Sequence, residues 1–234
     1  MPQPNDMSYC NNTNNEPETF GPTPACRNNH TTAVHGDKIY FHGGHDGNSW
    51  LDDLYVLNTS SLVWNKPKVG GQKPSARACH TMSRVGRKLY MFGGYDGEKC
   101  FNEIDILDLD TMTWISPQVQ GTIPMARNAH TMTVLGKKLY LFGGHSGNKH
   151  LKDLHVFDTE TLSWTEPQIC GSPPKGLRGH TANLIGNKVY LFGGYDGRGR
   201  SFKKIIPSND LYVLNTETMR WSHPLEFEKA PAGR

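Results

Sequence analysis

The stretch Leu89-Tyr-Met-Phe-Gly-Gly-Tyr-Asp-Gly97 decides the fold, because closely related stretches recur at a constant interval along the chain. Each copy is a short apolar run that ends in a Gly-Gly doublet. The doublets begin 50 residues apart, at Gly43, Gly93, Gly143 and Gly193. A fixed period of this size is typical of propellers, solenoids and other repeat arrays. The sequence therefore predicts four structural repeats.

Three further residue types keep the same interval. A His lies 13 positions before each doublet, an Arg precedes that His by three positions in the first three repeats, and a Trp follows the doublet. In the fourth repeat the Trp comes seven residues later, because of an insertion between residues 198 and 210, and the nearest Arg is displaced by one position. These anchors are His30, His80, His130 and His180; Arg27, Arg77, Arg127 and Arg178; and Trp64, Trp114, Trp164 and Trp221.

Each repeat is predicted to form four antiparallel strands, ordered from the innermost to the outermost. The first begins at the His, a Gly-x tip leads to the apolar second strand, and the Trp lies on the fourth. The second strand is apolar on both faces, so we expect it to be buried from both sides. No stretch has helical periodicity, and the coils of a β-solenoid are much shorter than this interval. The predicted fold class is all-β.

Four repeats account for residues 20–224, at about 20–69, 70–119, 120–169 and 170–224. Residues 1–19 are polar and rich in Asn, Pro and Glu, which predicts a disordered leader. The segment Ala230-Pro-Ala-Gly-Arg234 matches Lys73-Pro-Ser-Ala-Arg77, the lead-in to the second repeat. We therefore interpret residues 225–234 as the truncated start of a fifth repeat.

Composition excludes several function classes. The net charge of +3 is too small for a nucleic-acid-binding protein, and no apolar run approaches the length needed to span a membrane. The five cysteines include no Cys-x-x-Cys pair, which disfavours both a disulfide framework and a structural zinc. We expect a soluble protein of the cytoplasm, with the nucleus as a further option, and no cofactor.

The pattern His…Gly-Gly…Trp with Arg upstream resembles the kelch repeat over residues 20–224. The resemblance implies a kelch-type β-propeller or partial propeller, here with four blades of four antiparallel strands, in which the doublet and the Trp are packing residues. Kelch propellers usually have more than four blades, so the chain is either an open fragment or a four-bladed arrangement. The family is used mostly for protein binding. It suggests a scaffold or substrate-receptor propeller whose partner classes are ubiquitin-ligase components, cytoskeletal proteins and small-GTPase-pathway proteins.

Loops that differ between repeats are free to specify a partner, whereas positions shared by every repeat hold the fold. Strand parity places the loop after the doublet and the loop that links two blades on one face, opposite the hairpin tips. On that face Trp50 has no counterpart, and it is either a binding anchor or a cover for the edge of the adjacent blade. The basic insertion around Phe202, together with the lead-in arginines, would suit an acidic peptide or a free carboxyl terminus; the alternative is a solvated flexible loop. The candidate partner-binding residues are Arg27, His45, Trp50, Arg77, Tyr95, Arg127, His145, His150, Tyr195, Arg198, Arg200, Phe202, Lys203 and Lys204.

A metal-dependent enzyme is the alternative function. Resemblance to the galactose-oxidase group would imply copper with Tyr and His ligands and a Cys–Tyr crosslink, but the Tyr and His residues after the doublets are explained by the repeat itself. The nitrile-specifier type uses Glu-x3-Asp-x3-His, and no Glu here has an Asp four residues later. His42 and His45 resemble a metal pair without an identifiable third ligand. We therefore expect a protein without catalytic residues.

Overall fold

A computed structural model describes residues 18–197 and 207–223. Within these ranges the chain is all-β and forms a four-bladed propeller of four small, mostly antiparallel sheets. They contain no helix that is long and apolar enough to cross a membrane. The disordered leader expected at residues 1–19, apart from its last two residues, and the truncated repeat at 225–234 lie outside the described residues.

Each blade contains four antiparallel strands in the predicted order. The strands of blade 1 are β1 (Thr31–His35), β2 (Lys38–His42), β3 (Leu54–Asn58) and β4 (Val63–Asn65). After the two-residue strand β5 (Gly70–Gly71), blade 2 has β6 (Thr81–Val85), β7 (Lys88–Phe92), β8 (Ile104–Asp108) and β9 (Thr113–Ile115). After β10 (Gln120–Gly121), blade 3 has β11 (Thr131–Leu135), β12 (Lys138–Phe142), β13 (Leu154–Asp158) and β14 (Ser163–Thr165). After β15 (Cys170–Gly171), blade 4 has β16 (Thr181–Ile185), β17 (Lys188–Phe192), β18 (Leu211–Asn215) and β19 (Arg220–Ser222).

The two-residue strands were not expected from the sequence. β5, β10 and β15 each run parallel to the outermost strand of the blade that follows them, so the sheets of blades 2, 3 and 4 have five strands. In blade 1, Phe20 makes the equivalent single parallel bridge to Val63. Each linker is thus hydrogen-bonded to the blade that it enters.

The apolar cores lie between consecutive blades. The first core joins blades 1 and 2, the second joins blades 2 and 3, and the third joins blades 3 and 4. In β7, Leu89 and Met91 contribute to the first core, whereas Tyr90 and Phe92 contribute to the second. The prediction that the second strand is buried from both sides is therefore confirmed in blade 2, and β12 shows the same burial in blade 3.

In blades 1 and 4 the second strand is buried on one side only, so the prediction is wrong there. In β2 the buried residues are Tyr40 and His42, which face blade 2, while Ile39 and Phe41 are half-buried. In β17 the buried residues are Val189 and Leu191, which face blade 3, while Tyr190 and Phe192 are half-buried. The physical reason is that the described residues form no fourth core between blade 4 and blade 1.

The Gly-Gly doublet is close-packed, as the repeat pattern indicates. Gly94 has a φ of +105°, and a Cβ added to it would lie 3.0 Å from the carbonyl oxygen of Ala78 and 3.0 Å from the Cβ of His80. A Cβ on Gly93 would lie 2.6 Å from the carbonyl oxygen of Arg127, in the next blade. The doublet therefore packs against the lead-in loops of its own blade and of its neighbour without room for a side chain.

Candidate partner-binding face

The loops after the doublets and the lead-in loops between blades lie on one face, as strand parity predicts. Single antiparallel bridges join them in every blade: Asn28 to His45, Ala78 to Tyr95, Asn128 to His145, and Arg178 to Tyr195. We call the surface formed by these two sets of loops the loop face. Within each blade, the two loops are thus hydrogen-bonded to each other through their backbone.

Two of the lead-in arginines are ion-paired inside their blades. The Nη1 and Nη2 atoms of Arg127, which is 0% exposed, donate to the two carboxylate oxygens of Asp153 at 2.9 and 2.6 Å. Nη1 also donates to the carbonyl oxygen of Gly143 at 2.9 Å. Burial alone would raise the pKa of Asp153, but hydrogen bonds from His155 and Arg127 hold it far below its ordinary value. Arg27 makes the same bidentate contact with Asp53 in blade 1.

Arg77 lies at the same place in blade 2 with a different set of partners. Its guanidinium group stacks over the ring of Phe101 at 3.9 Å, and Nη1 donates to the carbonyl oxygen of Gly93 at 3.1 Å. The carboxylates of Glu103 and Asp105 are each 3.9 Å from Nη1. The three arginines that sequence analysis placed among the partner-binding residues therefore have their guanidinium groups engaged within the blades, which supports a structural role.

Blade 4 departs from this arrangement at two adjacent positions. Leu177 occupies the scaffold position of the lead-in arginines and belongs to the apolar core between blades 3 and 4. Arg178 occupies the next position, which is Asn28, Ala78 or Asn128 in the other blades. Arg178 is therefore an additional arginine on the loop face rather than a displaced scaffold residue. Arg178 is not among the partner-binding residues predicted from the sequence, although its irregular spacing is a signal that distinguishes it from the other lead-in arginines.

Arg178 lines a cavity of about 310 Å³ on the loop face. Cys79, Asn128 and Tyr195 also line it, together with Pro207. The guanidinium carbon of Arg178 lies 5.4 Å from the centre of the Tyr195 ring, within the range of a cation–π contact. Among the described residues no carboxylate lies within 4.0 Å of this guanidinium group. The cavity thus contains the guanidinium group of Arg178, the apolar surfaces of Tyr195 and Pro207, and the side-chain amide of Asn128.

The groups around Arg178 are held neutral. Burial, followed by the positive charge of Arg178, lowers the pKa of His145. For His150, burial and then the charges of His145 and Arg178 lower the pKa, against a smaller opposing effect of Asp196. Burial raises the pKa of the Cys79 thiol, and this effect exceeds the opposing effect of the positive charge of Arg178. At neutral pH the guanidinium group therefore supplies a positive charge to a ligand in this cavity, while the neighbouring His145, His150 and Cys79 are neutral.

In the first three blades, the loop after the doublet ends in a side chain that contacts the next blade. The ring of Trp50 lies against Gly97, where an added Cβ would come within 2.5 Å of the indole, and its centre is 6.3 Å from that of Tyr95. At the equivalent position in blade 3, His150 lies against the ring of Tyr195 at 5.1 Å. Of the two interpretations of Trp50, the structure supports contact with the edge of the adjacent blade, and the side chain as a whole is partly buried.

The remaining predicted loop residues are held by their own loops. His45 and His145 accept hydrogen bonds at Nδ1 from the backbone N–H groups of Gly47 and Gly147, at 3.0 and 3.1 Å. The hydroxyl of Tyr95 donates to the carbonyl oxygen of Gly97. The predicted residues of the basic insertion lie outside the described residues: Arg198, Arg200, Phe202, Lys203 and Lys204.

The metal pair suggested by the sequence does not converge on one point. The Nδ1 atom of His42 is buried and lies 3.1 Å from Nε2 of His80, whereas His45 is bonded within its own loop. Within residues 18–197 and 207–223 no cluster of three or more His, Cys, Asp or Glu side chains could hold a metal ion.

A sequence model of the KLHDC2/KLHL20/DRC7 kelch-repeats domain matches residues 5–144 and, in a second and overlapping match, residues 79–234. The chain belongs to this kelch-repeat family. Kelch-repeat propellers are generally protein-interaction modules.

One curated relative has a name that states a function. The Rab9 effector protein with kelch motifs of Danio rerio is 43% identical over 47 residues. These residues are 20% of this chain, and they span only 13% of the relative's length. The match is thus local, about as long as one kelch repeat.

Proposed function

We propose that this kelch propeller is a scaffold or substrate receptor that binds a carboxylate-bearing peptide of a partner protein in the cavity around Arg178. The cavity is a concave site on the loop face, and its one guanidinium group has no carboxylate partner among the described residues, which is the observation that carries the proposal. A guanidinium group binds a carboxylate through two parallel, charge-assisted hydrogen bonds. Asn128 supplies an amide for the peptide backbone, and Tyr195 supplies an aromatic wall.

Either an acidic side chain or a free carboxyl terminus would meet this requirement. The partner classes considered from the family stay open, and the local similarity to a Rab9 effector adds weight to a small-GTPase-pathway protein. We propose that the protein acts in the cytoplasm or nucleus, without a cofactor and without catalysis.

The test measures binding of immobilised random octapeptide pools. One pool carries a free carboxyl terminus, the second is its carboxyl-terminal amide, and the third is the amide pool enriched in Asp and Glu. We expect retention of the first or third pool over the neutral amide pool, and the difference between them separates a terminal carboxylate from a side-chain carboxylate. Loss of the charge-assisted pair in Arg178→Gln should cost about 1.5–3 kcal/mol, which is a roughly 10- to 100-fold weaker affinity.

Arg84→Gln is the matched control, because Arg84 is exposed and bonded to the carbonyl of Gly86 at the hairpin tips of the opposite face. It removes the same charge from the chain and should leave binding unchanged. Equal retention of all three pools, or equal effects of the two substitutions, would contradict the proposed site.

A further inference from the structure

Two sheet faces of the propeller have no neighbouring blade among the described residues. We call them the blade-1 terminal face and the blade-4 terminal face. The blade-1 terminal face is formed by Ile39, Phe41, Leu57 and Trp64. The blade-4 terminal face is formed by Tyr190, Phe192, Leu211 and Val213. All eight side chains are only half-buried.

The same positions in the inner blades are fully buried. The counterparts of the blade-1 terminal face in blade 2 are Leu89, Met91, Leu107 and Trp114, which are 0, 0, 0 and 2% exposed. The counterparts of the blade-4 terminal face, also in blade 2, are Tyr90, Phe92, Ile104 and Ile106, at most 4% exposed. The terminal faces therefore carry the side-chain types that form the three cores between blades, in the same register.

The lead-in histidines show the same difference. His80, His130 and His180 are about 5% exposed and lie against the first glycine of the preceding blade's doublet. His30, at the equivalent position of blade 1, is exposed. His30 differs from the three buried histidines in that the described residues place no preceding blade against it.

Each interface between blades also contains three backbone hydrogen bonds. Between blades 1 and 2, the N–H of Gly44 donates to the carbonyl of Arg77, the N–H of Arg77 donates to the carbonyl of Leu51, and the N–H of Cys79 donates to the carbonyl of Asn29, at 2.9, 3.1 and 2.9 Å. The second and third interfaces repeat these bonds at the equivalent residues. The pairs are Gly94–Arg127, Arg127–Phe101 and Ala129–Cys79, then Gly144–Leu177, Leu177–Leu151 and Gly179–Ala129.

The groups that would make the next set of bonds are present at the two ends. Blade 4 offers the N–H of Gly194 and the carbonyls of Ser208 and Gly179. Blade 1 offers the carbonyl of Arg27 and the N–H groups of Arg27 and Asn29. None of these six backbone groups is hydrogen-bonded to another residue that the structure describes. Each donor at one end thus matches an acceptor at the other.

We propose that a second copy of this chain packs head-to-tail, with the blade-4 terminal face of one copy against the blade-1 terminal face of the next. The contact continues an interface that the fold already uses three times, with the same apolar side chains and the same three backbone bonds. Such an interface joins two different surfaces, so it generates a closed assembly if the rotation per copy closes a circle and an open chain otherwise.

The first test is the mass of the full chain by light scattering from low to high micromolar concentration. We expect a concentration-dependent rise above the 26.2 kDa of one copy. A single copy at every concentration, with cooperative thermal unfolding, would overturn the proposal, because the terminal faces would then be stable in water.

The second test uses one charge on each face. Phe41→Glu disables the blade-1 terminal face, and Val213→Glu disables the blade-4 terminal face; both residues are half-buried, so the blades should still fold. Each variant alone should have the mass of one copy. An equimolar mixture should form a dimer of twice that mass, because one intact face of each kind remains.

Ile115→Glu is the matched control, since Ile115 is 44% exposed on the outermost strand of blade 2 and belongs to neither terminal face. It should associate like the unmodified chain. A mixture of the two variants that stays monomeric, or a Val213→Glu variant that dimerises alone, would exclude the head-to-tail arrangement. Near-ultraviolet circular dichroism of each variant checks that the blades are folded.

Discussion

At the scale of single residues, the second glycine of the doublet has a conformational and a steric role at once. Gly94→Val would place a branched side chain at a φ of +105°, in contact with the Ala78 carbonyl and with His80. Backbone strain and overpacking together should lower the free energy of unfolding by about 2–5 kcal/mol. The measurement is chemical denaturation monitored by tryptophan fluorescence.

Gly70→Ala is the control, because Gly70 lies on an exposed edge without a positive φ and its nearest neighbour is the Thr113 side chain. It should change the unfolding free energy by less than about 1 kcal/mol. Equal stability of the Gly94→Val variant and the unmodified protein would show that the doublet is not close-packed.

The ion pair of Arg127 with Asp153 provides a second prediction at this scale. Arg127→Leu copies the natural arrangement of blade 4, where Leu177 occupies this position, but it leaves the carboxylate of Asp153 with His155 alone. We expect a loss of roughly 2–4 kcal/mol in unfolding free energy. The double variant Arg127→Leu with Asp153→Asn should recover part of that loss, since the uncompensated charge is removed. A double-mutant cycle measures the coupling, and additive effects would contradict it.

At the scale of elements, the loop after the doublet contacts the following blade in blades 1, 2 and 3. Trp50→Ala removes the ring that covers Gly97 and contacts Tyr95. Because the ring is half-buried, the loss should be about 1–2 kcal/mol, less than for a fully buried Trp. We also expect faster hydrogen exchange at the loop that contains Tyr95. Trp50→Phe should restore most of the protection, and unchanged exchange in Trp50→Ala would show that the contact does not hold the loop.

The elements differ in how far the sequence predicts them. The spacing of His, Gly-Gly and Trp predicts four strands per blade and their order, because these residues mark strand ends and packing positions. The strands β5, β10 and β15 escape prediction, since pairs such as Gly70–Gly71 have no apolar pattern and associate only through their backbone. The basic insertion stays a prediction, because it lies outside the described residues.

The candidate site was predicted less well than the fold. A loop is expected to be on the surface, so the arginines of the lead-in loops were assigned to a partner. These arginines point into the blades because each pairs with a carboxylate 26 positions later, as Arg27 does with Asp53. The spacing of the repeat does not reveal these ion pairs. In blade 4 the spacing is compatible with two interpretations: the lead-in arginine is shifted by one position, or Leu177 replaces it and Arg178 is an additional residue. Spacing alone does not decide between them, so Arg178 is not predicted as a site residue.

At the scale of the whole molecule, the buried histidines make stability depend on pH. Burial lowers the pKa of His42 and of His180 to about 4, and it lowers the pKa of His80 and of His130 well below the ordinary value. In the unfolded chain a histidine has a pKa of about 6.5, so between pH about 6.5 and 4 the unfolded state binds protons that the folded state does not. Stability is therefore complete above that window and falls as the pH falls through it, by about 1.4 kcal/mol per pH unit for each histidine.

We expect the melting temperature to drop clearly between pH 7 and pH 5. The low pKa of Asp153 affects stability only below its ordinary value near 4, and the raised pKa of the buried Asp105 acts in the opposite direction, so a drop over this interval comes from the histidines. His180→Asn should give a shallower dependence on pH, whatever its effect on the melting temperature at pH 7. An unchanged melting temperature over this interval would contradict neutral burial of these histidines.

The three interfaces between blades share their packing positions and their backbone bonds, and this has an evolutionary consequence. Unequal recombination between two repeats removes or adds 50 residues as a unit, such as residues 70–119. The face of blade 1 that contacts Leu89 and Met91 would then meet Leu139 and Leu141 at the same positions. A lineage can therefore change the number of repeats in one genetic step without an intermediate that exposes a mismatched junction.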